Sequence, residues 1–249
     1  MTMIKSGLGL VGLVAMTALS FSGVARAEEE REFGYSLTLG ATNDYIFRGL
    51  SFTSEDPAAQ GSIDFSYGKL YLGFWGSNVD GDGFSPAELD IYAGYKPTWG
   101  QFNFDFGVIG YLYPLADDSL EYVEFKAGVS TEIVKNLTGG AIFYYTPETD
   151  NYGETYTVEG SLAYVLPEVG IFTPTVSGGV GYAEETGDNG LFSNVTDNYV
   201  YWNAGLALGV EKWIFDFRYW DTDLDSVPGD VYTGLSEERF VFTAKITLP

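Results

Sequence analysis

Neither cysteine nor histidine occurs among the 249 residues of this chain. Without them no Ser–His or Cys–His couple can be built, and the usual zinc ligand sets are missing, so phospholipase, acyltransferase and protease chemistries that use histidine are excluded. Disulfides do not hold the fold either, which suits an outer-membrane barrel better than a small secreted domain. Basic residues are scarce: 12 Lys and Arg face 35 Asp and Glu. Such a chain repels phosphate backbones, which argues against a nucleic-acid partner. Beyond the first 27 residues no apolar run approaches the roughly 20 residues that a spanning helix needs. Residence in a membrane would have to come from strands.

The amino end carries an export signature. Lys5 supplies the positive start, Leu8 to Leu19 the apolar stretch and Ala25-Arg26-Ala27 a small-x-small cleavage site. The apolar stretch is too short for a membrane anchor, so residues 1–27 are expected to be a cleaved signal peptide and residues 28–249 a single domain. Lys5 and Arg26 fall in the signal, which leaves ten basic residues against 35 acidic ones in the mature chain. High charge with few aromatics would suggest disorder, but 17% Phe, Trp and Tyr opposes that.

Period two dominates the mature chain. In 100–113, Phe102, Phe104, Phe106, Val108 and Leu112 share one face, while Asn103, Asp105, Gly107 and Tyr111 share the other. Leu70, Leu72 and Phe74 likewise oppose Tyr71, Gly73 and Trp75, and Trp213, Phe215, Phe217 and Tyr219 oppose Ile214, Asp216 and Arg218. Twelve such segments are predicted, at 34–50, 58–68, 69–79, 87–97, 100–113, 119–131, 138–147, 153–166, 170–183, 198–210, 212–222 and 237–248. The oily faces are too uniform for contact with water. A soluble sandwich or lipocalin-like barrel would turn them inward, but large aromatics near strand ends, at Tyr35, Tyr45, Tyr95, Trp99, Trp202, Trp213 and Tyr219, fit interfacial girdles. The expected fold is all-β: a transmembrane antiparallel up-and-down barrel of 12 strands.

The links support that parity. Odd-numbered links, at 51–57, 80–88, 114–119, 147–154, 183–197 and 221–238, hold many acids and no Lys or Arg. Even-numbered links are short and hold Lys69, Lys96, Lys135 and Lys212. Barrels of this kind keep both termini and the tight turns in the periplasm and the long loops outside. Pro167 and Pro174 weaken the eighth and ninth strands, since proline is tolerated only near a strand end or bulge.

Asp44-Tyr45-Ile46-Phe47-Arg48-Gly49-Leu50-Ser51, followed by Asp56-Pro57-Ala58-Ala59-Gln60-Gly61-Ser62-Ile63-Asp64-Phe65, resembles the opening of the TorF-type porin family of proteobacteria. Gly73 to Val79, Glu88 to Tyr95, Tyr111-Leu112-Tyr113-Pro114 and Tyr144-Tyr145-Thr146-Pro147 continue the likeness in order. The resemblance implies an outer-membrane barrel with a pore role and brings no established substrate or catalytic residue. One departure is the carboxyl end, Ile246-Thr247-Leu248-Pro249, where barrel proteins commonly finish on an aromatic residue read by the assembly machinery.

On the wet faces the phase places Asp44, Arg48, Asp64, Asp90, Asp105, Glu124, Lys126, Glu159, Asp216, Arg218 and Lys245, which become candidates for lining a lumen. Arg48 shares a strand face with Asp44 and is expected to bridge it to Asp64 on the partner strand. Carboxylate pairs could serve acid–base work, but inward acids ordinarily pair with inward bases, and no enzyme is expected. Asn78, Asp80 and Asp82, and again Asp221, Asp223 and Asp225, repeat the spacing of a calcium loop. Leu89 and Tyr232 stand where its bidentate Glu should be, so these are weak metal candidates and no cofactor is expected. The acids outnumber the bases and favour cations. The sequence thus points to an outer-membrane barrel that passes small solutes or ions, with lipid, lipopolysaccharide and the assembly machinery as its surroundings. The alternative is a structural or surface-interaction barrel plugged by its own side chains, because twelve strands lie between filled eight-stranded barrels and open sixteen-stranded ones.

Overall fold

A strand that turns one face to lipid and the other inward needs about 9–11 residues to cross the apolar layer. The computed structural model describes residues 32–80, 85–114, 116, 121–149, 152–186, 197–224 and 235–249; the expected signal peptide lies outside them. Its long strands are β1 (Phe33–Thr42), β4 (Ala58–Tyr67), β5 (Leu70–Asn78), β6 (Ala87–Tyr95), β8 (Phe102–Leu112), β9 (Tyr122–Val134), β10 (Leu137–Thr146), β11 (Glu154–Val165), β12 (Thr173–Thr186), β13 (Asn198–Val210), β14 (Trp213–Thr222) and β15 (Arg239–Leu248). Three two-residue strands complete the set: β2 (Ile46–Phe47), β3 (Leu50–Ser51) and β7 (Thr98–Trp99). No helix occurs among the described residues.

The twelve long strands pair antiparallel in chain order, and β7 only extends the edge of β8 at the β6–β8 link. β15 returns to β1, with Leu37 opposite Leu248 and Thr42 opposite Thr243. That last pairing closes the ring, so each of the twelve long strands has a neighbour on both sides. Each strand predicted from the sequence has its counterpart, and Pro167 and Pro174 fall where they do least harm. Pro167 sits in the link after β11, and Pro174 is the second residue of β12, where its carbonyl accepts the Leu166 N–H at 2.9 Å.

The first strand is the exception. The sequence carried it to residue 50, but β1 stops at Thr42 and residues 43–57 fold into the barrel as a small hairpin of β2 and β3. Arg48 and Gly49 form its two-residue turn, with φ of 51° and 85°, the positive-φ pair that a tight β-hairpin demands. The apolar residues of the hairpin explain its direction. Ile46 and Leu50 would be wet if the strand ran on outward, whereas inside they are buried. They join Tyr199, Tyr201 and Trp220 in one cluster, while Tyr45 joins Trp75, Tyr92, Ile109 and Tyr111 in another. Tyr45 is therefore an interior residue and not part of the interfacial girdle expected from its position near a strand end. Tyr35, Tyr95, Trp99, Trp202 and Trp213 do face outward and are exposed.

Candidate functional site

The inner wall repeats one unit three times. Tyr71 on β5 stands opposite Gly94 on β6, Tyr92 opposite Gly73, and Tyr201 on β13 opposite Gly181 on β12. In each case the ring occupies the space where a Cβ on the glycine would sit. Lying flat across the missing side chain, the tyrosine reaches one strand further and donates its hydroxyl to a carboxylate. Tyr71 donates to Asp105 at 2.7 Å, Tyr92 to Asp64, and Tyr201 to Glu159. A glycine, a tyrosine and an acid on three adjacent strands thus fix each other, which positions three inward carboxylates on a rigid wall.

Most of the inward cations are paired. Arg48 donates to Glu124 at 2.6 Å and lies over the rings of Phe47 and Tyr144. Lys126 meets Asp105 at 3.0 Å, with Lys96 at 3.9 Å from the same carboxylate. Arg218 grips Asp216 through both Nε and a terminal nitrogen, at 3.1 and 3.0 Å, and also donates to Asn203 and Ser177. Asp44 accepts from Arg239 at 3.0 Å and from the hydroxyls of Ser51 and Thr53. Lys245 lies part-buried on the same inner phase as Thr243 of β15. Asp90 is fully buried beside Glu88, the other buried acid on the same inner phase of β6.

The bridge expected between Asp44, Arg48 and Asp64 is absent. Because the chain turns inward after Thr42, the Arg48 guanidinium reaches across the barrel to Glu124, and Asp64 is held by Tyr92 and Ser62. Two participants are missing from the candidates that the sequence supplies. Arg239 lies within the predicted strand 237–248 and shares the inner phase of Val241 and Thr243. Glu88, buried and accepting from Tyr45 at 3.2 Å, lies where the predicted strand 87–97 overlaps the link counted at 80–88, and it continues the phase of Asp90 and Tyr92.

The metal candidates are otherwise engaged where described. Asn78 accepts from the Ala59 N–H and donates to the Pro57 carbonyl, Asp221 accepts from Tyr219, and Asp223 from the Val200 N–H. Asp80 is exposed, and Asp82 and Asp225 lie outside the described residues. Among the described residues no group of three His, Cys, Asp or Glu side chains is placed to hold a metal ion.

Comparison with known proteins agrees with the architecture. The family model of a bacterial protein of unknown function, Gcw_chp, matches residues 26–248. No curated protein sequence matches the chain. Among solved structures, the NanC porin superposes with a TM-score of 0.58 over 87% of this chain and 100% of that one, at 10% identity. The KdgM porin gives 0.57, over 86% and 98%, at 9% identity. At such identity the likeness is one of fold: a closed antiparallel barrel of the outer-membrane porin kind.

Proposed function

The chain belongs to the Gcw_chp family of bacterial proteins of unknown function, and we propose that it is an outer-membrane channel giving small solutes or ions passive passage. The carrying observation is a graded interior. Toward the short turns the inner wall is small and polar: Ser130, Ser161, Ser177, Thr243 and Thr247 are part-exposed there, beside the part-exposed charges of Asp105, Lys126, Asp216 and Lys245. A filled core would not leave inward groups of that kind open to solvent. Toward the long links the hairpin of β2 and β3 narrows the passage. Inward carboxylates held by hydroxyls alone, at Asp64 and Glu159, favour cations. The resemblance of the chain to the TorF-type porin family, densest in its first half, supports the same reading. Nothing in a diffusion channel requires a catalytic group, so we assign none.

The hairpin also favours a second reading, a plugged barrel with a structural or surface role, because Ile46 and Leu50 are buried against the inner wall. Planar-bilayer recording of the refolded protein separates the two. A channel gives salt-dependent current whose reversal potential in a salt gradient lies on the cation side, shifted toward zero by Asp105→Asn and Asp216→Asn. Silence at all voltages establishes the plug.

A further inference from the structure

The inward charges are sorted along the barrel axis. β6, β9 and β15 begin at the end that carries the long links, and β1 and β12 finish there. Glu88 and Asp90 are the second and fourth residues of β6, Glu124 is the third of β9, and Asp44 follows the last residue of β1 by two, all four buried. Glu185, the last residue but one of β12 and also buried, adds a fifth acid. Among the described residues two guanidiniums answer them: Arg239, first in β15, at 3.0 Å from Asp44, and Arg48, on the inner hairpin, at 2.6 Å from Glu124. One proton shared by the adjacent Glu88 and Asp90 would still leave four negative charges against two positive ones.

The end with the short turns is balanced. Asp64, Asp105, Asp216 and Lys245 are each the fourth residue from that end of β4, β8, β14 and β15. Lys126 and Lys96 converge on Asp105, at 3.0 and 3.9 Å, and Arg218 holds Asp216 at 3.0 Å. Glu132, at the rim, accepts the Asn136 N–H at 2.8 Å and brings the acids level with the four cations. Glu159, at the middle of β11, tips neither end. The pore is thus an acidic stretch, narrowed by the hairpin of β2 and β3, in series with a neutral one.

Charges in a low-dielectric wall focus their field into the water of a narrow passage, so cations carry the current through the acidic stretch while both ions move in the neutral one. Polarity then matters. With the long-link side positive, cations enter through the acids, and anions arriving from the other side are stopped there, so salt gathers at the junction and conduction rises. With the polarity reversed, both ions are drawn away from the junction and neither is replaced. Conduction falls.

We propose that the pore rectifies, passing cations from the long-link side to the short-turn side more readily than back. This deepens the channel reading and rests on it. Planar-bilayer recording of the refolded full chain tests it, with orientation fixed by biotin on Glu148→Cys, the chain's only thiol, because streptavidin reaches that link from one side alone. In about 0.1 M KCl, where the Debye length is about 10 Å, current should be severalfold larger with the long-link side positive, and in about 1 M KCl, where it is about 3 Å, nearly symmetric. Lys96→Glu and Lys245→Glu make the neutral stretch acidic, so each should flatten the asymmetry while moving the reversal potential further to the cation side. Lys96 is half-exposed at the mouth, so its variant keeps the test if Lys245→Glu fails to form the heat-modifiable barrel. A symmetric current at low salt, a larger current of the opposite sense, or asymmetry untouched by the substitutions overturns rectification and leaves the channel standing. Silence of the formed barrel refutes the channel and rectification with it.

Discussion

Tyr92 can lie flat against the wall only because position 73 has no side chain. A methyl group there would collide with the ring, and Gly73 has Tyr92 directly opposite, so the ring would have to leave and its hydroxyl would lose Asp64. Overpacking of this kind typically costs about 1–3 kcal/mol, and Gly73→Ala should lower the urea midpoint accordingly. Gly160→Ala is the control: nothing lies within 4 Å of the added atom, and relief of backbone freedom should leave stability unchanged or slightly higher. Equal losses at both sites would mean that Tyr92 is not seated on Gly73. Arg48 makes a sharper case. Its side chain is 10% exposed and that of Glu124 is 1% exposed, so removing the guanidinium leaves a buried carboxylate uncompensated, at a cost of about 3–5 kcal/mol, while removing both charges costs less. The cycle Arg48→Gln, Glu124→Gln and the double variant, read by unfolding in lipid vesicles, should show a double variant more stable than additivity of the singles allows.

At the scale of elements, the hairpin of β2 and β3 occupies part of the barrel interior. Replacing residues 46–51 by two glycines removes Ile46 and Leu50 from the interior and takes away Arg48, the latch on Glu124, while every long strand keeps both neighbours. Unitary conductance should rise severalfold with heat-modifiable migration preserved; an unchanged current would place the constriction elsewhere. The sequence did not disclose this element, and the reason is physical. Period two is shared by a long strand and by a hairpin folded back from it, so Asp44, Ile46, Arg48 and Leu50 read as one continuing face. Only the Arg48–Gly49 turn, with both φ values positive, separates the two conformations, and arginine is an uncommon residue there. The long strands were legible because their outward faces are uniformly apolar, as in Leu70, Leu72 and Phe74, and a slip of one residue would put that whole set inside. Inner contacts were not legible. Pairing Tyr201 with Gly181 and Glu159 requires the register of three strands, which no single segment carries.

Across the whole molecule, charge and link length segregate together. The tight turns Gly68-Lys69, Lys135-Asn136 and Glu211-Lys212 lie at the end where β1 begins and β15 ends, with positive φ at Gly68, Asn136 and Glu211 closing them in the fewest residues. The acidic links, including Glu148 and Asp223, lie at the opposite end. In an outer membrane the long links face outward, so Lys69, Lys135 and Lys212 face the periplasm and the acids face the medium. An insertion at Glu148 tests this without touching a strand, because β10 ends at Thr146 and β11 begins at Glu154. A short epitope placed there should be reached by antibody on intact cells, and the same epitope between Lys135 and Asn136 only after the outer membrane is permeabilised. The second insertion also breaks a two-residue turn, so its barrel must first be shown to form by heat-modifiable migration. Staining of the Lys135 insertion on intact cells, with the Glu148 insertion silent, would invert the barrel.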